Sequence, residues 1–291
     1  MFEGSLVAIV TPFKNGQVDE QAFRDLLQFH IENGTDGMVP CGTTGESATL
    51  TNEEHHQVIS ITVEMCKDKI PVLAGTGSNS TREAIEMTQF AEKAGADGAL
   101  LVTPYYNKPS QQGLYEHYSA VAKETGLPII LYNVPSRTAV NMLPETVARL
   151  HKDQKNIVGI KEASGSLVQV SEVINQCSDD FTLLSGDDGL NWPILAVGGK
   201  GVISVSANLV PEKMELMCAR AAHRDMDGAL ALHYELMALN SVLFIETNPV
   251  PVKTALALMG KITGELRAPL AHMSEDHVEQ LKTVLKQYAL I

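Results

Sequence analysis

Long apolar runs, basic stretches and paired cysteines are all missing from this chain of 291 residues, and each absence removes a class of function. No apolar segment reaches the roughly 20 residues that a helix needs to cross a bilayer. No lysine or arginine stripe stands out against a formal net charge of −13, so nucleic-acid binding is not expected. That charge leaves anionic substrates open, because local cations and backbone N–H groups decide binding. Cys41, Cys66, Cys177 and Cys218 show no C-x-x-C spacing and read as free, mostly buried thiols rather than disulfides or zinc ligands. Cys41 adjoins a glycine-rich motif, yet core packing suits it best, since free cysteine behaves as a small hydrophobe. Aromatic residues make up only 5%, so the core must be aliphatic. Met1-Phe2-Glu3-Gly4 has neither a basic n-region nor an apolar h-region; no signal peptide and a cytoplasmic location are expected.

What is present is a rhythm. Eight short runs rich in Val, Ile, Leu and Ala lie at 7–13, 37–42, 71–77, 98–106, 128–134, 157–163, 181–187 and 201–207. Amphipathic stretches of crossover-helix length separate most of them, among them 20–33, 53–67, 81–95 and 111–126. Apolar strands alternating with helices imply a parallel sheet covered on both faces. Eight such units imply an α/β fold, the closed (β/α)8 TIM barrel. Thr51-Asn52-Glu53-Glu54 has the form of a capping box, and Gly34, Gly95 and Gly126 fall where helices should end. After the eighth strand the pattern is wholly helical, at 211–224, 227–245, 251–259 and 274–289. The reading is a catalytic barrel over 1–224 and a C-terminal helical appendage over 225–291, without a linker that would let them move independently.

Barrel active sites lie at the C-terminal ends of the strands. There Lys161 closes the apolar run Ile157-Val158-Gly159-Ile160. Lysine is rarely buried without a partner or a use, and desolvation lowers its pKa toward a nucleophilic free amine. The plainer reading is a packed stem with its amine snorkelling to water. The same rim gathers Gly42-Thr43-Thr44-Gly45-Glu46-Ser47, Gly75-Thr76-Gly77-Ser78-Asn79, Thr103-Pro104-Tyr105-Tyr106-Asn107, Tyr132-Asn133-Val134-Pro135-Ser136-Arg137 and Ser185-Gly186-Asp187-Asp188. That convergence favours a functional lysine.

The set suits Schiff-base chemistry on a 2-oxo acid. Tyr132, with a threonine and a second tyrosine in reach, would shuttle protons. The Gly-Thr-Thr-Gly turn would nest a carboxylate, and Arg137 would clamp one on a second substrate. Plainer readings stand beside these: Tyr132 and Tyr106 as interface residues, Thr43 and Thr44 as turn formers, Arg137 as a surface ion pair. Asp187 and Asp188 admit a metal pair or, preferably, loop-shaping hydrogen bonds. No metal is expected, because His55-His56 lacks the H-E-x-x-H spacing and no other cage is visible. No nucleotide cofactor is expected either, for want of a G-x-G-x-x-G or Walker motif. Two aspartates after strand seven disfavour a sugar phosphate.

Together these motifs resemble the pyruvate-dependent class I lyase family that includes the dihydrodipicolinate synthases and N-acetylneuraminate lyase. Gly42-Thr43-Thr44-Gly45-Glu46, Tyr132-Asn133-Val134-Pro135-Ser136-Arg137-Thr138 and Gly159-Ile160-Lys161-Glu162-Ala163 carry the resemblance, which covers essentially the whole chain. Arg137 points to the synthases rather than the sugar-acid relatives. The resemblance implies condensation of pyruvate with L-aspartate 4-semialdehyde, the first committed step toward diaminopimelate and lysine. It assigns the Schiff base to Lys161, proton donation and acceptance to Tyr132, and the rest of a relay to Thr43 and Tyr106. Thr44, Gly186 and the backbone at Ile203 would contact substrate, and Arg137 would hold the semialdehyde carboxylate. Tyr106 would reach in from a neighbouring subunit, making a homodimer the smallest active unit and a homotetramer, a dimer of dimers, the common state. An L-lysine effector site at that interface would take Ser47, Ala48, His55, Asn79, Glu83 and Tyr105. Asn52 replaces a second histidine of some sensitive relatives, which implies weakened inhibition. No cofactor is implied. Two rivals are a sugar-acid lyase, against which Arg137 and Tyr106 argue, and a silent ligand-binding barrel, against which the intact lysine–tyrosine–threonine set argues. Fold alone does not separate them.

Overall fold

The computed structural model describes residues 2–291. Eight parallel strands form one sheet: β1 Gly4–Ala8, β2 Gly37–Val39, β3 Leu73–Gly75, β4 Gly98–Val102, β5 Ile129–Asn133, β6 Ile157–Glu162, β7 Thr182–Ser185 and β8 Gly201–Ser204. They pair in the order β2-β1-β8-β7-β6-β5-β4-β3, and a parallel bridge between Met38 and Val72 brings β2 against β3. Helices α1 Glu20–Glu32, α2 Asn52–Cys66, α3 Thr81–Ala94, α4 Gln111–Lys123, α5 Pro144–Asp153, α6 Leu167–Gln176, α7 Asn191–Ala196 and α8 Pro211–Ala222 clothe the barrel. Three more follow, α9 Met226–Val242, α10 Val250–Leu258 and α11 Glu275–Gln287.

The period-2 alternation of a strand sorts its side chains onto two faces. Leu6, Ala8, Val39, Leu73, Leu100, Ile130, Tyr132, Leu184 and Ile203 make one buried cluster inside the barrel. Val7, Met38, Ala74, Leu101, Leu131, Leu183 and Val202 join a second with the helices. Each fully buried aliphatic side chain contributes about 1.5–3 kcal/mol. With both faces covered, the strands read in sequence as unbroken apolar runs. Hydroxyl or carboxylate caps start several helices: Asp19, Thr51, Ser80, Ser110 and Ser166 each accept a first-turn N–H, and Thr51 with Glu54 completes the expected capping box.

Two local expectations need correction. The first strand lies at Gly4–Ala8, not 7–13, and Phe13–Lys14 instead pairs with Gln17–Val18 in a small hairpin. Pro12 has no N–H to extend a ladder, and Asn15 and Gly16, at φ 54° and 78°, make the tight turn that an Asn-Gly pair favours. Gly34 and Gly95 adopt the left-handed conformation, but Gly126 does not; its N–H donates to Glu92 Oε1 at 2.8 Å instead. The C-terminal helices share the outer core of the barrel through Leu236, Leu239, Leu256, Leu281 and Leu285. Among the described residues no helix is long and apolar enough to cross a membrane.

Candidate active site

Lys161 is the last residue but one of β6, and its neighbour in register on β5 is Tyr132. The lysine Nζ lies 4.4 Å from the centre of the Tyr132 ring. Gly186, just past β7, makes room for the lysine stem: a Cβ there would meet Lys161 Cε at 2.9 Å and Cγ at 3.0 Å. The residue is 7% exposed, so the snorkelling reading fails. Burial is the chief cause that lowers its pKa to about 8; the Asp188 carboxylate opposes the shift and the Arg137 guanidinium adds to it. The free amine is therefore far more populated near neutrality than in an unperturbed lysine. Burial raises the Tyr132 phenol, against the Arg137 charge and the neighbouring Thr43 side chain, so the hydroxyl stays protonated near neutrality.

The loop after β2 is a tight turn in which Gly45 N and Ser47 N donate to the Gly42 carbonyl and Glu46 N to that of Thr43. The N–H groups of Thr43 and Thr44 find no protein acceptor among the described residues, which leaves them free for an anion. Thr44 Oγ1 accepts from Asn248 Nδ2 at 3.0 Å. Arg137 sits on a single helical turn, Pro135–Thr138, and donates from Nη2 to the Asn248 carbonyl at 3.1 Å. It is therefore anchored by backbone rather than by a surface carboxylate.

Asp187 and Asp188 both accept hydrogen bonds from loop amides. Asp188 Oδ2 accepts from Val205 N and Ser206 N, each at 2.9 Å, and its Oδ1 from Asn191 Nδ2 at 2.9 Å. Asp187 accepts from Gly189 N at 3.0 Å. Both shape loops, and the described residues hold no group of three His, Cys, Asp or Glu suited to a metal ion. Cys41 is buried, and burial pushes its thiol up, so it stays an inert core residue.

Lys161, Tyr132, Thr43, Thr44, Arg137 and Gly186 all line one cavity of about 510 Å³. Ile203 belongs to the packed barrel interior and is not part of that lining, and Tyr106, 90% exposed, stands apart from it. A second cavity of about 420 Å³ gathers Ser47, Ala48, His55, Glu83 and Tyr105 with Asn52, but not Asn79, whose carbonyl accepts from Asn107 Nδ2. The two cavities share Thr43, Val134, Arg137 and Asn248. Sequence reasoning did not place Met237, Asn240, Ser241, Phe244 or Asn248 at the site, yet all line the first cavity. The one local signal was Asn248-Pro249, a turn-forming pair between two helical stretches.

What fold and site define is a barrel lyase with a desolvated amine at its mouth. The chain belongs to the Dihydrodipicolinate synthetase family, whose sequence profile matches residues 1–288. It is 59% identical, over 100% of both chains, to the 4-hydroxy-tetrahydrodipicolinate synthase of Syntrophus aciditrophicus (strain SB). A crystal structure of the chloride-inhibited dihydrodipicolinate synthase from Acinetobacter baumannii complexed with pyruvate matches with a TM-score of 0.98 and 46% identity over 100% of each chain. That of the enzyme from Cyanidioschyzon merolae with lysine bound matches at 0.97 and 40% identity, over 100% of this chain and 99% of the other.

Competitive amine labelling read by mass spectrometry should show Lys161 becoming reactive with a midpoint near pH 8. Arg137→Met removes a charge that lowers the pKa and should move the midpoint up. A wild-type midpoint near 10.5, the ordinary lysine value, would contradict the desolvation account.

Proposed function

We propose that this chain condenses pyruvate with L-aspartate 4-semialdehyde to 4-hydroxy-tetrahydrodipicolinate through a Schiff base on Lys161. The observation that carries the reading is a desolvated amine beside a protonated tyrosine, in a cavity with free amides on one side and a guanidinium on another. The neutral amine adds to C2 of pyruvate, and the carbinolamine loses water to an imine as Tyr132 gives its proton to the departing hydroxyl. Loss of a methyl proton yields an enamine, whose carbon attacks the aldehyde and leaves a hydroxyl at the new bond. The semialdehyde's own amine then attacks the imine carbon, closes the ring and expels the lysine amine. The Thr43 and Thr44 amides would take the pyruvate carboxylate, and Arg137 that of the semialdehyde. The synthase name of the relatives, rather than that of a sugar-acid lyase, supports the same choice of second substrate. The cytoplasm suits four free cysteines, three of them buried.

Tyr106 joins this reading only through another copy of the chain. An aromatic side chain 90% exposed, on a residue with left-handed backbone at φ 73°, is suited to inserting into a neighbour. The second cavity suits the ammonium end of L-lysine. His55 donates from Nε2 to the Gly75 carbonyl at 2.9 Å, which leaves Nδ1 an acceptor, and burial keeps the ring neutral. Glu83 supplies a carboxylate.

Purified protein should consume pyruvate only when the semialdehyde is present. Lys161→Ala should abolish both turnover and borohydride-trapped adduct, whereas Tyr132→Phe should keep the adduct and lower kcat about 10²–10⁴-fold. Pyruvate left untouched would move the search to sugar aldehydes. Mixing inactive Lys161→Ala with inactive Tyr106→Phe should restore part of the activity, because mixed dimers contain one site with both groups intact; no recovery would remove Tyr106 from the relay. Calorimetry should detect L-lysine binding with only partial inhibition, and absence of both heat and rate change at millimolar ligand would end the effector assignment.

A further inference from the structure

Lys253 of α10 and Glu46 form an ion pair hidden from solvent, their side chains 0% and 1% exposed. Removing two charges from water is costly, and apolar residues of like volume often stabilise a fold equally well. Stability alone therefore does not account for the pair. Its position does. Glu46 closes the Gly-Thr-Thr-Gly turn with a left-handed backbone, φ 52°, a conformation unfavourable for a residue with a Cβ. Its carboxylate is gripped twice, by Lys253 Nζ on Oε1 and by the Arg267 amide on Oε2 at 3.1 Å. Just ahead of Lys253 in the chain, Asn248 donates to Thr44 Oγ1 and accepts from Arg137 on its carbonyl. Lys253 N in turn donates to the Pro249 carbonyl at 3.0 Å. One short segment thus fastens the anion nest and the arginine together. Neither member of the pair contributes to the Lys161 shift, which comes from burial, Asp188 and Arg137, so the pair acts on geometry rather than on the nucleophile's charge.

We propose that Glu46 and Lys253 are positioning residues: their buried pair holds the Thr43–Thr44 turn and, through Asn248, Arg137 in the arrangement that receives the two substrate carboxylates. The inference rests on the reading of those two elements as carboxylate sites.

The test compares Glu46→Gln, Lys253→Met and the double variant with wild type by thermal unfolding, steady-state kinetics and borohydride trapping of pyruvate on Lys161. Each single variant leaves a buried charge unpaired and should unfold at lower temperature. The double variant removes both charges and should regain the wild-type unfolding temperature to within a few degrees. Its half-saturating pyruvate concentration should nonetheless rise about tenfold, and the semialdehyde KM with it, the equivalent of about 1.4 kcal/mol of binding. The pH midpoint of trapping should stay put, since the nucleophile is untouched. A merely structural pair would move stability and leave affinity alone. A stable double variant with wild-type pyruvate saturation overturns the proposal. If the double variant does not fold, Glu46→Gln, which keeps the size of the side chain, reads the same quantity, and an unchanged half-saturation there overturns it equally. A wild type that traps no pyruvate at all sinks the functional reading instead, and this proposal with it.

Discussion

A lysine amine that ordinarily stays protonated to about pH 10.5 is brought to about 8 because the packed barrel leaves it almost no water. The shift depends on the fold as a whole. A parallel sheet buried on both faces supplies the apolar floor. The pairing of β5 with β6 sets Tyr132 beside Lys161, and the missing side chain at Gly186 lets the stem lie flat. Asp188 works against the shift but cannot be spared. It ties the loops after β7 and β8 by accepting the Val205 and Ser206 amides, and its own carbonyl accepts from Asn240 of α9 at 2.9 Å. The resulting value is a compromise between desolvation and a carboxylate that the loops require.

The C-terminal helices are part of this arrangement. Met237, Ser241 and Phe244 line the cavity from α9 and the turn that follows it, Asn248 bonds to Thr44 and Arg137, and Lys253 pairs with Glu46. The helical segment lines one side of the cavity and, through Asn248, fastens Thr44 and Arg137.

Much of this was legible in the sequence, for physical reasons that can be named. Lys161 was conspicuous because a lone cation in an apolar strand has few benign explanations. Thr43 and Thr44 stood out between two glycines, and Arg137 beside a proline turn. All lie at strand ends, where the barrel itself dictates convergence. The contribution of the tail was not legible, because Asn248 meets Thr44 across 204 residues of chain and no local pattern says which helix end crosses the mouth. Lys253 carried the same signal as Lys161, a single cation in the apolar run Pro251-Val252-Lys253-Thr254-Ala255-Leu256, but on a helix, where an exposed face is the ordinary expectation. Tyr106 presents the reverse case: its motif marked it for the site, yet it stands 90% exposed and outside the cavity.

The central claim, that the desolvated Lys161 amine is the nucleophile and the Thr43–Thr44 turn the anion site, is tested most directly by a crystal structure of the protein soaked in pyruvate. The account predicts continuous density from Lys161 Nζ to C2 of the ligand, with the carboxylate on the Thr43 and Thr44 amides. Pyruvate bound without that bond, or with its carboxylate on Arg137 instead, would contradict it.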